Sequence, residues 1–223
     1  MNQDAIEILS LSLRVALVCV VISLPPGIVL GWLLARVRFR GKVLVDGILH
    51  LPLVLPPVVT GYLLLMLFGR RGPIGMLLEQ IGIRVAFDWK GAVLASSVVA
   101  FPLMLRSIRS AIETVDPRLE SAARTLGAGR IRAFLTVTLR IALPGVMVGG
   151  LLSFARSLGE FGATITFVSN IPGETRTLPL GVYTLINQPG GDTQALELVV
   201  ISILLSLAAL AASEVLTRRF RRG

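Results

Sequence analysis

The sequence predicts an all-α integral membrane protein, with about five transmembrane helices and a cytoplasmic helix–turn–helix loop in a single domain over residues 1–223. Three observations carry that expectation. Only 16% of the residues are charged, against about a quarter in soluble domains, and the mean hydropathy is +0.80. Five apolar stretches approach the roughly 20 residues that a helix needs to cross a bilayer. The basic residues gather in alternate connections between those stretches.

Ile8–Ala35 forms the first span. The MNQDAIEILS ahead of it has no positive n-region, and the apolar run is too long for a signal h-region, so the span is expected to be retained. Arg36, Arg38, Arg40 and Lys42 follow it. Ile48–Phe68 forms the second span. Gly91–Leu105, continued as helix through Ile108, forms the third, and Arg106, Arg109, Arg118, Arg124, Arg130, Arg132 and Arg140 come after it. Pro144–Val168 and Ala195–Leu216 form the fourth and fifth, with Arg218, Arg219, Arg221 and Arg222 at the end. Asp4 and Glu7 precede the first span with no Lys or Arg beside them. An odd number of spans, N-terminus outside and C-terminus cytoplasmic, places all three basic segments inside. Arg70, Arg71, Arg84 and Lys90 run against this and are outweighed. The net charge of +9 is thereby topological, and nucleic acid is not expected as a partner.

Prolines mark the spans: Pro25-Pro26, Pro52, Pro56-Pro57 and Pro102. Each removes a backbone donor and kinks or interrupts its helix. Simple kinking and helices bent around a translocation path both account for this density. Cys19, the only cysteine, sits in an apolar run with no metal-ligand spacing. No internal repeat is visible, so the inverted halves of many secondary transporters are not expected.

The most polar interruption is ESAARTLGAGRIRAFLTVTLRIALP, Glu120–Pro144. Asp116-Pro117 opens a helix, with Asp as N-cap and Pro at the first helical position. Leu119, Ala122, Ala123 and Leu126 recur at i, i+3, i+4 and i+7 on one face, with Arg118, Ser121 and Thr125 opposite. Gly127 and Gly129 can adopt positive φ and turn the chain. A second amphipathic pattern with Ile131, Phe134 and Leu135 leads to Pro144, which opens the next span. The arginines would meet lipid phosphates if this were an interfacial linker. A face built mainly of alanine buries little in lipid and instead admits another protein surface closely, which favours docking.

On these residues the segment 116–143 resembles the cytoplasmic coupling loop of binding-protein-dependent ABC transporter permeases. That family's pattern is EAA, three residues, Gly, nine residues, then Ile-x-Leu-Pro. Ala122-Ala123 and Gly127 match it. Ser121 stands at the usual glutamate, with Glu120 one residue early, and Arg140 replaces the proline, leaving Pro144 of Ile141–Pro144 as the alternative helix break. HLPLVLPPVVTGYLLL (His50–Leu65) and SFARSLGEFGATITFVSNIPGETRTLP (Ser153–Pro179) are similar to the molybdate permease subunits of that class, with sulfate and tungstate permeases as near relatives. The resemblance implies a homodimer in the bacterial inner membrane, two cytoplasmic ATP-binding subunits, an external substrate-binding protein and a molybdate oxyanion. It places Leu119, Glu120, Ala122, Ala123, Leu126, Gly127 and Gly129 in the coupling loop.

The residues agree on energy supply. The sequence contains no G-x-x-x-x-G-K-[ST], so it has no phosphate-cradling loop of its own, and ATP acts through a partner. No cofactor or metal is expected, and with one His and one Cys no catalytic dyad is recognisable, which argues against an intramembrane enzyme. A secondary transporter or channel would not need the docking loop. Arg156 and Glu160 stand one turn apart near mid-membrane or beyond. Charges at that depth face a protein interior or water. Two readings stay open: an oxyanion path in which Glu160 tempers the pull of Arg156, and an intrahelical structural pair, for which Arg before Glu is the poorer order. Arg14 is expected to snorkel outward, His50 to pack or sit at the interface, and 170–192 to form an external turn or partial re-entry.

Overall fold

The computed structural model describes residues 3–221, so Arg222 lies outside the described residues. Three long helices make the centre: Gln3–Arg36 (α1), Trp89–Glu113 (α5) and Leu139–Leu158 (α8), each packed on the other two. Between α1 and α5 come Lys42–Val54 (α2), Pro57–Phe68 (α3) and Pro73–Gln80 (α4). Pro117–Thr125 (α6) and Arg130–Ala133 (α7) lead to α8, while Gly162–Val168 (α9), Leu178–Ile186 (α10) and Asp192–Arg221 (α11) follow it.

α1 runs unbroken through Pro25 and Pro26. Gly27 and Gly31 lie just beyond them and bring the α1 backbone onto α5: a Cβ on Gly31 would stand 2.9 Å from Ile108 Cγ2. Small residues permit that approach. Beneath it, Met104, Ile108 and Ile112 form a buried cluster with Ala142 and Val146 of α8.

The expected span 48–68, marked by Pro52 and Pro56-Pro57, is two helices, α2 and α3, bent by 114°. The cause is local. Leu55 and Pro56 each precede a proline, which excludes the α region for them, and they take ψ of 143° and 132°. The pair nonetheless follows α5 from end to end. Asp46 of α2 lies 3.0 Å from Arg109 near the α5 C-terminus. Phe68 of α3 packs with Trp89, Ala92 and Phe167 at the α5 N-terminus. The geometry fits a crossing with a break, which beside the four helices long and apolar enough to cross a membrane gives four to five candidate spans.

The fourth span also departs from expectation. Helix runs continuously over Arg130–Leu158, through a π-helical stretch Phe134–Thr138, so the second limb of the loop merges with the span. Pro144 sits inside α8 and neither opens nor breaks it. The helix stops at Gly159, and α9 completes the path to Val168. A Cβ on Gly145 would meet Ala111, one on Gly149 would meet Met104 and Ser107, and one on Gly91 would meet Val168, so α8 and α9 track α5 antiparallel.

Candidate functional site

At one end of the bundle α6 is built as the sequence dictates. The Asp116 carboxylate accepts from the Arg118 N–H at 2.9 Å, and Pro117 occupies the first helical position. At the other end the Gly127 N–H donates to Arg124 O (3.0 Å) and the Ala128 N–H to Ala123 O (3.0 Å). These paired bonds make a Schellman closure, which requires the left-handed residue supplied by Gly127 at φ +92°. Gly129 does not turn the chain. It is extended (φ −63°, ψ 162°) and starts α7.

None of the α6 residues is buried. Leu126 is 89% exposed and Leu119 46%, Ala122 is exposed and Ala123 half-buried. Arg124, Gly129 and Arg130 line an open depression beside them. Apolar side chains at such exposure on a capped, well-formed helix are open to contact from outside the chain. Glu120 points the other way: its Oε1 accepts from the Thr138 hydroxyl and lies 3.8 Å from Arg36 Nε. Ser121, at the position of the motif's acid, bonds back to Pro117 O.

The second constellation lies where the two broken crossings touch. A Cβ on Gly162 would stand 2.8 Å from Pro57 Cβ, and one on Gly61 would stand 2.6 Å from Ala163 O. The interruption at 159–161 thus lies against the one at 55–56. There Arg156 Nη1 is 2.8 Å from Glu160 Oε2. Glu160 is only 2% exposed, while the Arg156 side chain is 29% exposed. Glu160 stands past the end of α8, so the pair spans a helix terminus and is not intrahelical. Its Oε1 also accepts the Ala163 N–H at 2.7 Å. The hydroxyls of Thr60 and Ser157, on the flanking turns of α3 and α8, are buried without a hydrogen-bond partner among the described residues. Two interrupted backbones, an ion pair and spare hydroxyls form a polar site inside an apolar bundle, which is tolerated where protein or water satisfies the freed groups.

That contact leaves no room for growth. Gly61→Val is expected to cost about 1–3 kcal/mol through overpacking against rigid backbone. Thermal unfolding in detergent checks this, and an unchanged midpoint would mean α3 and α9 are not held as described.

Other sequence-predicted residues resolve differently. Arg14 stacks over the Trp89 ring, 3.8 Å from its centroid, rather than reaching outward alone. His50 Nδ1 lies 2.9 Å from Asp46 O beside the Asp46–Arg109–Glu113 cluster. The 170–192 segment is tied down. The Arg176 guanidinium donates to Asn170 Oδ1 (3.0 Å), the Leu178 N–H donates to Ser12 Oγ of α1 (2.7 Å), and α10 follows. Sequence reasoning missed Arg36 and Thr138 as partners of Glu120. Arg36 reads in sequence only as a topological charge, and Thr138 carries no signal at all.

The family model described as binding-protein-dependent transport system inner membrane component matches residues 27–222. The chain is 62% identical over 209 residues to the molybdenum transport system permease protein ModB of Escherichia coli (strain K12), covering 93% of this chain and 91% of that one. It is 55% identical over 218 residues to ModB of Haemophilus influenzae, covering 97% and 95%. A solved bacterial alginate ABC transporter, in complex with an alginate pentasaccharide-bound periplasmic protein, has a chain that superposes with a TM-score of 0.76. The identity there is 19%, with 98% of this chain and 80% of that chain covered. That likeness is one of fold.

Proposed function

We propose, since this chain belongs to the family of binding-protein-dependent transport system inner membrane components, that it is the permease subunit of an ATP-driven importer carrying molybdate into the cytoplasm. It is a multi-pass transport subunit of the inner membrane. The finer reading assigns α6 to docking on a cytoplasmic ATP-binding subunit, with the N-terminus outside and the C-terminus inside. The observation that carries it is the exposed face of Leu119, Ala122 and Leu126 on a helix closed at Gly127. Such a face fits a groove on a soluble partner better than lipid, because alanine gains little from hydrocarbon.

The site beside the two breaks supports the other half of the reading. Arg156 supplies a cation at depth for a tetrahedral dianion, and the unpartnered hydroxyls of Thr60 and Ser157 supply donors. Glu160 keeps the local charge near zero, so the anion passes without being held. A second copy of this chain would close the path from the other side. Exposed Val43 and Val54 on α2, which has no buried residue, leave apolar surface for such a partner. An external binding protein delivers the oxyanion.

The test is elemental. Deleting the gene at limiting supply is expected to lower cellular molybdenum at least severalfold, with tungsten and sulfur measured alongside by mass spectrometry. A fall in sulfur with molybdenum unchanged would move the substrate to sulfate. Uptake that persists without any ATP-binding partner would indicate a secondary transporter.

A further inference from the structure

We infer that Glu120 is a positioning residue of the transport cycle: it fastens α6 to the head of α8 and the tail of α1, so that a push on α6 moves both crossings. This rests on the docking reading of α6. The geometry separates two faces of that short helix. Leu119, Ala122 and Leu126 face out. Glu120, one residue away and only 23% exposed, faces in toward Arg36.

Two elements meet it directly, the π-helical stretch and the end of α1. The Thr138 hydroxyl, completely buried in the π-helical stretch, donates to Glu120 Oε1. Arg36, the last residue of α1, brings Nε to 3.8 Å from the same oxygen. The Arg36 Nη2 also donates to Val115 O at 2.6 Å, in the connection between α5 and α6. A few residues upstream, Trp32 of α1 stacks edge-on against Phe134, ring centroids 5.9 Å apart. Each end of the π stretch is therefore held by another element, Phe134 by α1 and Thr138 by α6. A π turn widens the hydrogen-bond ring and is less favourable than α-helix, so it persists where outside contacts fix it. Here those contacts run to the helix that meets the motor.

Because Glu120 faces inward, its loss should leave the motor bound but idle. The test uses the complete transporter in proteoliposomes, with its ATP-binding subunits, binding protein and molybdate. Glu120→Ala and Thr138→Val are expected to copurify with the ATPase and keep its basal rate. Both are expected to lose at least about fivefold of binding-protein-stimulated hydrolysis and of uptake, and the double variant to be no worse than either. Thr138→Ser keeps the donor and Glu120→Gln keeps an acceptor, so both should stay within about twofold of wild type. Release of the ATPase by Glu120→Ala would make Glu120 a direct motor contact and overturn the inference. Full coupling in Thr138→Val, additive losses, or equal losses in the conservative variants would overturn it too. Where Thr138→Val does not assemble, the Glu120→Gln and Thr138→Ser results decide. Leu126→Asp, on the outer face, is expected to release the ATPase. If it does not, the docking reading fails, whatever the Glu120 variants do.

Discussion

Gly127→Pro is expected to cut molybdate uptake at least about tenfold while the chain still reaches the membrane. Gly127 holds φ +92°, and proline locks φ near −65°. The substitution also deletes the N–H that donates to Arg124 O, and the neighbouring Ala128–Ala123 bond depends on the same turn. A Cβ at this position would meet nothing within 4 Å, so space is not the issue. Conformation is. For an ordinary L-residue the left-handed region costs about 1–2 kcal/mol, where about 1.4 kcal/mol is tenfold in an equilibrium. Gly127→Asn, which tolerates that region, should therefore transport nearly as wild type, Gly127→Ala should be intermediate, and Gly127→Pro should fail. Uptake into inverted-control and right-side-out vesicles, with ATPase copurification from the same membranes, checks the ranking. Normal uptake by Gly127→Pro would mean that the closure of α6 has no part in coupling.

Arg156→Gln is expected to damage both assembly and transport, and a second substitution separates the two. Removing Arg156 leaves the Glu160 carboxyl, 2% exposed, without its partner cation. Breaking one side of a buried pair costs about 3–5 kcal/mol. The yield of folded complex should fall accordingly. Glu160→Gln added to Arg156→Gln removes the orphaned charge, and the amide oxygen still accepts from the Ala163 N–H. The double variant is therefore expected to recover a monodisperse elution profile without recovering uptake. If uptake returns with assembly, the pair is structural and Arg156 does not face the oxyanion.

How far the sequence foresaw this can be followed residue by residue. Asp116-Pro117 and Gly127 act through local backbone chemistry, and both ends of α6 came out where they were read. Gly129 has the same freedom and does not use it, because φ is settled by the start of α7 and not by residue type. The prolines were read as breaks with two meanings, and neighbours decide between them. Pro25 and Pro26, themselves exposed, leave α1 unbroken where Gly27 and Gly31 beside them pack on α5, whereas Pro56-Pro57 force two successive residues out of the α region and split the 48–68 stretch. The 159–161 break had no proline to announce it. Arg156 and Glu160 were singled out as costly charges one turn apart and they do pair, but nothing in the sequence marked that Glu160 stands beyond the end of α8, against the contact of α9 with α3. The inward turn of Glu120 depends on Arg36, 84 positions earlier. No periodicity carries that.

The bend at Leu55–Pro56 also governs how the chain enters a bilayer during synthesis. α2 has 13 residues and α3 has 12, roughly 20 and 18 Å of helix against a hydrocarbon core of about 30 Å. Neither half can be released into lipid by itself, so the insertion machinery must treat the two as a single apolar passenger. Every later segment inherits its sidedness from that event. Were the pair returned to the face it came from, α5 would be threaded in reverse, and the arginines between Arg106 and Arg140 would emerge opposite Arg36–Lys42. The combined apolar length of the pair, with the basic residues that flank it, would then matter more than helical continuity for which compartment receives the rest of the polypeptide.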